Sequence, residues 1–299
     1  MEANEVKVLV TGGGGQLGKY VVEELKKDHD ITILDLVKPK DNQHQFIEAN
    51  LAHFEDVKRA LEDTQAVIHL AAIPIDTGEV HKIWQTNVTG TFNLLEAAAQ
   101  SNTKKIVAAS SIDAYGFEFW SKPFTPDYFP LDEKHPCKPD DSYGMSKMIG
   151  EKLCYGYSRR YGTLIICLRL ATILYPGSQE AEHWVSEVEN PEFYMLPDRV
   201  QFKDSIWAYV DARDAAQAFR LSLEKLGDYD LGYGIYNIGA RDIFSQVDSL
   251  ELIKRYYPDV KMILNEEGFL LDKKKALFDI TKAQKDLGYE PKFTWREHV

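Results

Sequence analysis

The chain has 299 residues, 44% of them hydrophobic, which is enough to bury a substantial core and argues against disorder. Lysine and arginine number 35 against 47 aspartates and glutamates, and the resulting formal charge of −12 disfavours a nucleic-acid partner or an anionic membrane surface. The acidic start and the short first apolar run, Val8-Leu9-Val10, read as neither a signal peptide nor a membrane span, so a cytoplasmic location is expected.

Short Val- and Ile-rich runs alternate with amphipathic stretches, the pattern of βαβ units around a parallel sheet. Strands are expected at Val6–Val10, Asp30–Asp35, Gln45–Glu48, Ala66–Leu70, Lys105–Ser110, Leu164–Leu170 and Gly234–Ile238. Helices are expected at Gln16–Lys27, Phe54–Leu61, Val80–Ser101, Ser142–Tyr161, Val210–Leu226 and Gln246–Tyr257, with another opening near Thr281. Two stretches interrupt the alternation. Phe117–Pro139 mixes prolines with Phe, Trp and Tyr and reads as a loop near a ligand, and Tyr175–Ser205 reads as irregular. The expected architecture is α/β: a Rossmann-type doubly wound parallel sheet in residues 1–170, which also receives 206–238. A small C-terminal substrate lobe, made of 171–205 and 239–299, lies over the strand ends.

Cys137, Cys154 and Cys167 are odd in number, widely spaced and without a CxxC pair. Neither a disulfide framework nor a metal site is expected, and the thiols read as buried or incidental.

Thr11-Gly12-Gly13-Gly14-Gly15-Gln16-Leu17-Gly18 follows the first strand and opens the first helix. Glycines there permit a tight turn and close backbone approach, so that a pyrophosphate can rest on the unpaired amides and positive end of the helix. Asp35 ends the second strand, where a carboxylate can accept from ribose hydroxyls. A carboxylate repels a 2′-phosphate, and Leu36 follows where an arginine would receive one, which favours NAD over NADP although Lys38 is near.

Tyr143 and Lys147 lie one helical turn apart on one face. A phenol of pKa about 10 is a poor base at neutral pH, but a neighbouring ammonium favours the phenolate. Tyr143 can then take a hydroxyl proton as hydride leaves. Ser110 and Ser111 end the fifth strand and can hold the substrate oxygen, and Ser111 is the choice. Tyr257 and Lys261 repeat the same spacing, but Pro258 and Asp259 end a helix between them, so the two side chains need not share a face.

Together these residues resemble the extended short-chain dehydrogenase/reductase superfamily, in its NAD-dependent epimerase/dehydratase family. The resemblance runs through Asn50-Leu51, His69-Leu70-Ala71-Ala72, Asn87-Val88-Thr89-Gly90-Thr91 and Tyr115-Gly116 to Tyr209-Val210-Asp211, Asn237-Ile238-Gly239 and Leu287-Gly288-Tyr289-Glu290-Pro291. It implies that Asn50 and Leu51 border the adenine and that Leu70, Ala71, Ala72 and Asn87 line the pyrophosphate and ribose. It further implies that Ser111, Tyr143 and Lys147 do the chemistry, and that the chain forms a homodimer through the helices at Val80–Ser101 and Ser142–Tyr161. His69 reads as packing rather than as a proton carrier.

Departures from the family pattern bear on the substrate. UDP-galactose 4-epimerase-like members carry an Asn where Thr172 stands and an Arg where Trp207 stands, and sugar 4,6-dehydratases carry an Asp-Glu pair in place of Ile112-Asp113. Uronate dehydrogenases of the superfamily carry Asn-His there. Dehydration is disfavoured, and the short stretch before Tyr209 favours a small substrate. Ile73, Asp76, Asp113, Thr172, Tyr175 and His183 are candidate substrate-side residues, and Arg199 and Arg241 are the candidate cations for a diphosphate. The expected reaction is hydride transfer to and from a carbinol of a sugar or nucleotide sugar, as in a 4-epimerase. The alternatives are a dehydrogenase of a free sugar or uronate and a non-catalytic NAD-binding redox sensor.

Overall fold

A computed structural model describes residues 6–40, 43–117, 125–189, 205–226 and 232–297. Strands β1 (Val6–Thr11), β2 (His29–Asp35), β3 (Gln45–Glu48), β4 (Ala66–His69), β5 (Lys105–Ser111), β6 (Leu164–Leu170) and β9 (Tyr233–Ile238) form one seven-stranded sheet in the order β3-β2-β1-β4-β5-β6-β9. Every pairing in it is parallel. Because parallel strands here are covered on both faces, their side chains are apolar nearly throughout. Successive residues of β1 show this: Val8 and Val10 enter one apolar cluster with Val21, Leu25 and Phe219, and Leu9 enters the opposite one with Leu94 and Cys154.

Helices α1 (Gln16–Leu25) and α7 (Ala212–Lys225) cover the first face; α2 (Phe54–Ala60), α4 (Gly90–Ala99) and α5 (Ser142–Tyr161) cover the second. The chain winds outward from β1 to β3, then returns and winds the other way from β4. The order therefore reverses between β1 and β4, and the crevice beyond their carboxyl ends is where such sheets bind ligands.

The region expected as one helix at Val80–Ser101 is three pieces: α3 (Val80–Ile83), a π-helical stretch at Trp84–Thr89, and α4. The stretch Tyr175–Ser205, expected to be irregular, contains α6 (Gln179–Glu189), whose Ala181, Val185 and Val188 recur at helical spacing and are buried. Two strands of three residues, β7 (Thr172–Leu174) and β8 (Tyr209–Asp211), pair in parallel as a separate small sheet. They share a third apolar cluster with Val185, Phe244 and Trp295. Helices α8 (Ser249–Tyr256), α9 (Glu266–Leu271) and α10 (Thr281–Leu287) complete the C-terminal part.

The described part of the Phe117–Pro139 loop is packing material. Phe129 and Leu131 are fully buried and bridge to Ile263 and Phe278, and His135 is enclosed by Tyr115, Phe117 and Tyr128. No helix among the described residues is long and apolar enough to cross a membrane.

Candidate active site

The glycine loop turns at the end of β1 under tight constraint. Gly12 has φ +73°, and a Cβ there would lie 2.7 Å from the Ala71 amide nitrogen; one on Gly18 would lie 2.4 Å from the Gly12 carbonyl oxygen. Both glycines are thus demanded by the close packing of β1, β4 and α1. Gly15 is the residue before α1, and its lack of a capping side chain leaves the amides of the first turn available to an anion. Asp35 turns back onto this loop, accepting from Gly14 N at 3.0 Å and from Leu36 N at 2.7 Å. A helix start without a side-chain cap, beside a fixed strand-end carboxylate, fits a dinucleotide: phosphates over Gly12, Gly15, Gln16, Leu17 and Gly18, ribose at Asp35.

On the far side of the crevice a buried polar chain begins at Thr11. Its hydroxyl accepts from Ala71 N at 3.3 Å and lies 2.8 Å from His69 Nδ1; His69 Nε2 lies 3.0 Å from Thr91 Oγ1. Since Thr91 donates its proton to the Asn87 carbonyl at 2.6 Å, the network assigns the His69 proton to Nε2 and makes Nδ1 an acceptor. Burial, helped by the Lys147 charge, pushes the His69 pKa down to about 3. His69 is therefore a neutral linker. Asn87 continues the chain: it accepts from Ile73 N at 2.8 Å and donates to Ile73 O at 3.1 Å and to Ser146 Oγ at 3.0 Å, while Ser146 donates to the Tyr143 carbonyl at 2.7 Å. Asn87 and Ile73, expected beside cofactor and substrate respectively, are thus tied to each other. The π-helical turn that carries Asn87 is an irregularity of the kind that re-aims side chains at functional sites.

Tyr143 opens α5. The helix start is fixed by Asp141, whose side chain accepts from Gly144 N at 2.7 Å, and by Asp76, which accepts from Ser142 N at 3.1 Å and Ser142 Oγ at 2.8 Å. Hydrogen bonds from Gly78 N, then from Ser142, hold the Asp76 pKa below the usual range. Asp76, expected on the substrate side, instead holds the start of α5. Lys147 lies 5.5 Å from the Tyr143 ring centre, and its ammonium donates to Ala109 O at 3.0 Å. Burial pushes its pKa down to about 8, with Asp113 and Glu151 pulling the other way. A cavity between β5 and α5 is lined by Ala71, Asn87, Ser110 and Lys147 among others.

The two serines at the end of β5 part company. Ser110 donates to Glu151 Oε1 at 2.7 Å, and Glu151 is gripped by Arg169 through Nε at 2.8 Å and Nη2 at 2.7 Å. Ser111 donates to Asp113 Oδ2 at 2.9 Å and accepts from Asp113 N at 3.1 Å. The Glu151–Arg169 pair went unread, yet Tyr143, Lys147 and Glu151 recur every four residues and so share one helix face.

The remaining candidates divide. Asn50 accepts from Ala52 N at 3.0 Å in its own turn, and Leu51 is buried against Gly90. Thr172 is on β7 with its hydroxyl buried and without a hydrogen-bond partner among the described residues. Tyr175 packs against Tyr20 with the rings tilted and their centres 6.2 Å apart, and burial pushes its pKa up to about 12. His183 pairs with Glu187 on α6 at 3.5 Å, Arg241 is exposed, and Arg199 lies outside the described residues. Trp207 is buried in a left-handed turn with Ile206 (φ 53° and 51°) and packs on Tyr256 and Tyr257. Tyr257 is itself buried against Phe129 at the end of α8, so the second Tyr–Lys repeat is a packing site. Cys154 and Cys167 are buried free thiols and Cys137 is a half-buried one, and no metal-binding cluster occurs among the described residues.

Residues 8–239 match the NAD dependent epimerase/dehydratase family. The chain belongs to that family. A UDP-glucose 4-epimerase of Lactobacillus helveticus is 27% identical over 318 residues, covering 96% of this chain and 92% of the relative. An L-arabinose 1-dehydrogenase (NAD(P)(+)) of Haloferax volcanii is 28% identical over 63% of this chain and 75% of its own. In structure, a UDP-N-acetylglucosamine 4-epimerase from Bacillus cereus superposes with a TM-score of 0.69 at 26% identity, covering 97% of this chain and 95% of that one. Chain length therefore does not separate a nucleotide-sugar substrate from a smaller one.

Proposed function

We propose that this chain oxidises a carbinol carbon of a sugar or nucleotide sugar and can return the hydride to it, in the manner of a 4-epimerase, with Tyr143 as the base. The observation that supports this reading is that the Lys147 ammonium, 5.5 Å from the Tyr143 ring centre, donates to Ala109 O, two residues before Ser111 on β5. Bound NAD supplies the hydride acceptor. Tyr143 takes the hydroxyl proton as its phenolate, the form that Lys147 favours by charge. Ser111 fixes the reacting oxygen. Gly12, Gly15, Gln16, Leu17, Gly18 and Asp35 hold one half of the cofactor, and Asp35 selects NAD against NADP. Asn50, Leu51, Leu70, Ala71, Ala72, Asn87 and Ser110, with Tyr143 and Lys147, border the rest.

The substrate lobe, residues 171–205 and 239–299, closes over a Rossmann domain of 1–170 and 206–238. A free-sugar dehydrogenase is the second reading, favoured by Trp207: buried among aromatic rings, it offers no cation to a diphosphate. The outward faces of α4 and α5 expose Phe92, Tyr155 and Tyr161 at 44%, 45% and 41%, which supports a homodimer through these helices.

The test is Tyr143→Phe, assayed with UDP-glucose, free aldoses and uronates for epimer formation and for NADH. Loss of turnover by about a hundredfold or more with NAD binding retained is expected. Full turnover in the variant, or none in the intact protein with any of these sugars, overturns the reading.

A further inference from the structure

We propose that Asp113 sets the substrate class of this site: it admits a sugar whose carbon beside the reacting carbinol carries a hydroxyl or hydroxymethyl group and turns away one that carries a carboxylate there. This rests on the proposed function, which places the reacting oxygen between Ser111 and Tyr143.

The geometry is a two-way tie. Ser111 Oγ donates to Asp113 Oδ2 at 2.9 Å and accepts from Asp113 N at 3.1 Å, and the two residues are only 7% and 5% exposed. A substrate oxygen at hydrogen-bond distance from Ser111 Oγ, about 2.8 Å, is then no farther than about 6 Å from the Asp113 carboxylate. A group on the neighbouring carbon lies about 3 Å from that oxygen and so within about 9 Å of the carboxylate, a range over which like charges still repel where water is scarce. The carboxylate cannot retreat, because the turn that carries it is pressed onto α5: a Cβ on Gly144 would lie 2.5 Å from Asp113 O. In a site with little water, a second anion there meets a fixed like charge, whereas a hydroxyl can donate to it.

The surroundings supply little compensation. The Lys147 ammonium donates to Ala109 O and already faces Asp113 and Glu151. Arg169 spends Nε and Nη2 on the two oxygens of Glu151. His69 stays neutral in the chain between Thr11 and Thr91. The donor left over among these groups is Arg169 Nη1, on a guanidinium whose charge Glu151 already offsets, so a substrate carboxylate finds no free cation there and Asp113 decides against it.

UDP-glucose and UDP-glucuronate differ in this one group beside C4 and are the probes. Their kcat/KM values for epimer formation are compared in the NAD-loaded protein and in Asp113→Asn and Asp113→Ser, two variants that remove the charge in different ways. We expect the protein to prefer UDP-glucose by at least about tenfold, the effect of juxtaposed like charges, and both variants to reduce that ratio to within about threefold of unity by raising the UDP-glucuronate value. A ratio unmoved by either substitution, or a native preference for UDP-glucuronate, overturns the assignment and leaves the proposed function standing. Absence of turnover of both nucleotide sugars, and of NADH formation from galactose and galacturonate, overturns the proposed function and Asp113's role with it.

Discussion

The ammonium of Lys147 crosses from α5 to donate to the carbonyl of Ala109 at 3.0 Å, one strand residue before the two serines. That contact keeps the charge near the Tyr143 ring and removes it from bulk water. Burial holds the Lys147 pKa at about 8 against the pull of Asp113 and Glu151, so the cation is lost as pH rises through about 8. Turnover by Tyr143 is expected to fall over that range, and in Lys147→Arg, which keeps its charge, the fall moves to higher pH. Stability runs the opposite way. The unfolded chain holds this proton up to about 10.4, so it binds more protons than the folded one between about 8 and 10 and stability rises with pH there. A pH–rate profile beside denaturant midpoints for the protein and for Lys147→Met checks both: the variant loses the pH-dependent stability increment.

Buried beneath Ser110, the Arg169 guanidinium grips Glu151 through two hydrogen bonds and lies 4.5 Å from the Tyr115 ring centre. Removing one partner leaves the other charge enclosed and uncompensated. Arg169→Met is therefore expected to cost about 3–5 kcal/mol, whereas the double variant Arg169→Met with Glu151→Leu recovers much of that loss. Urea midpoints measure both. A double variant no more stable than the single one shows that the charge pair is not the source of the loss.

How far the sequence carries can be seen at particular elements. The main strands were legible because parallel strands covered on both faces must be continuous apolar runs, and β3 and β6 have the expected limits. β7 and β8 are three residues each, too short to show any period. α6 was missed because Pro176, Gly177, Pro191 and Pro197 punctuate its surroundings, although its own apolar spacing was there to find. The site divides the same way. Tyr143 and Lys147 are legible because four residues on a helix make one face, and the glycine loop because its order after a strand is distinctive. His69 meets Thr11 across 58 residues of sequence, and Asp76 reaches Ser142 across 66; such contacts follow from the winding of the sheet, which no local pattern encodes.

His69 gives an acid-side prediction. Burial holds it neutral down to about pH 3, whereas in the unfolded chain it takes a proton near 6.5. The unfolded state therefore gains protons first as pH falls, and stability is lost from about pH 6.5 downward, by about 2 kcal/mol at pH 5 from this group alone. His69→Gln, which keeps an acceptor and a donor without a titrating ring, is expected to be less stable at pH 8 but to lose less between pH 8 and 5. Thermal or urea midpoints at the two pH values decide it. Equal losses in both proteins remove His69 from the account.

Gly144 and Gly156 lie on the same helix and make opposite predictions. A methyl group at 144 would sit 2.5 Å from Asp113 O, 2.7 Å from Asp141 Oδ2 and 2.9 Å from Pro139 Cβ, so α5 must move away from the turn that follows Ser111. At 156 a Cβ meets nothing within 4 Å. Gly156→Ala is accordingly expected to stabilise by about 0.5–1 kcal/mol through helix propensity and the smaller entropy of the unfolded chain. Gly144→Ala gains the same propensity but separates Tyr143 from Ser111, and a displacement of about 1 Å at reacting groups can cost about a hundredfold in rate. The measurement is kcat/KM and the thermal midpoint for both variants. If Gly144→Ala turns over as fast as the parent protein, the close approach of α5 to the Asp113 turn is not what aligns the catalytic groups, and the tie between Ser111 and Asp113 must be rigid without it.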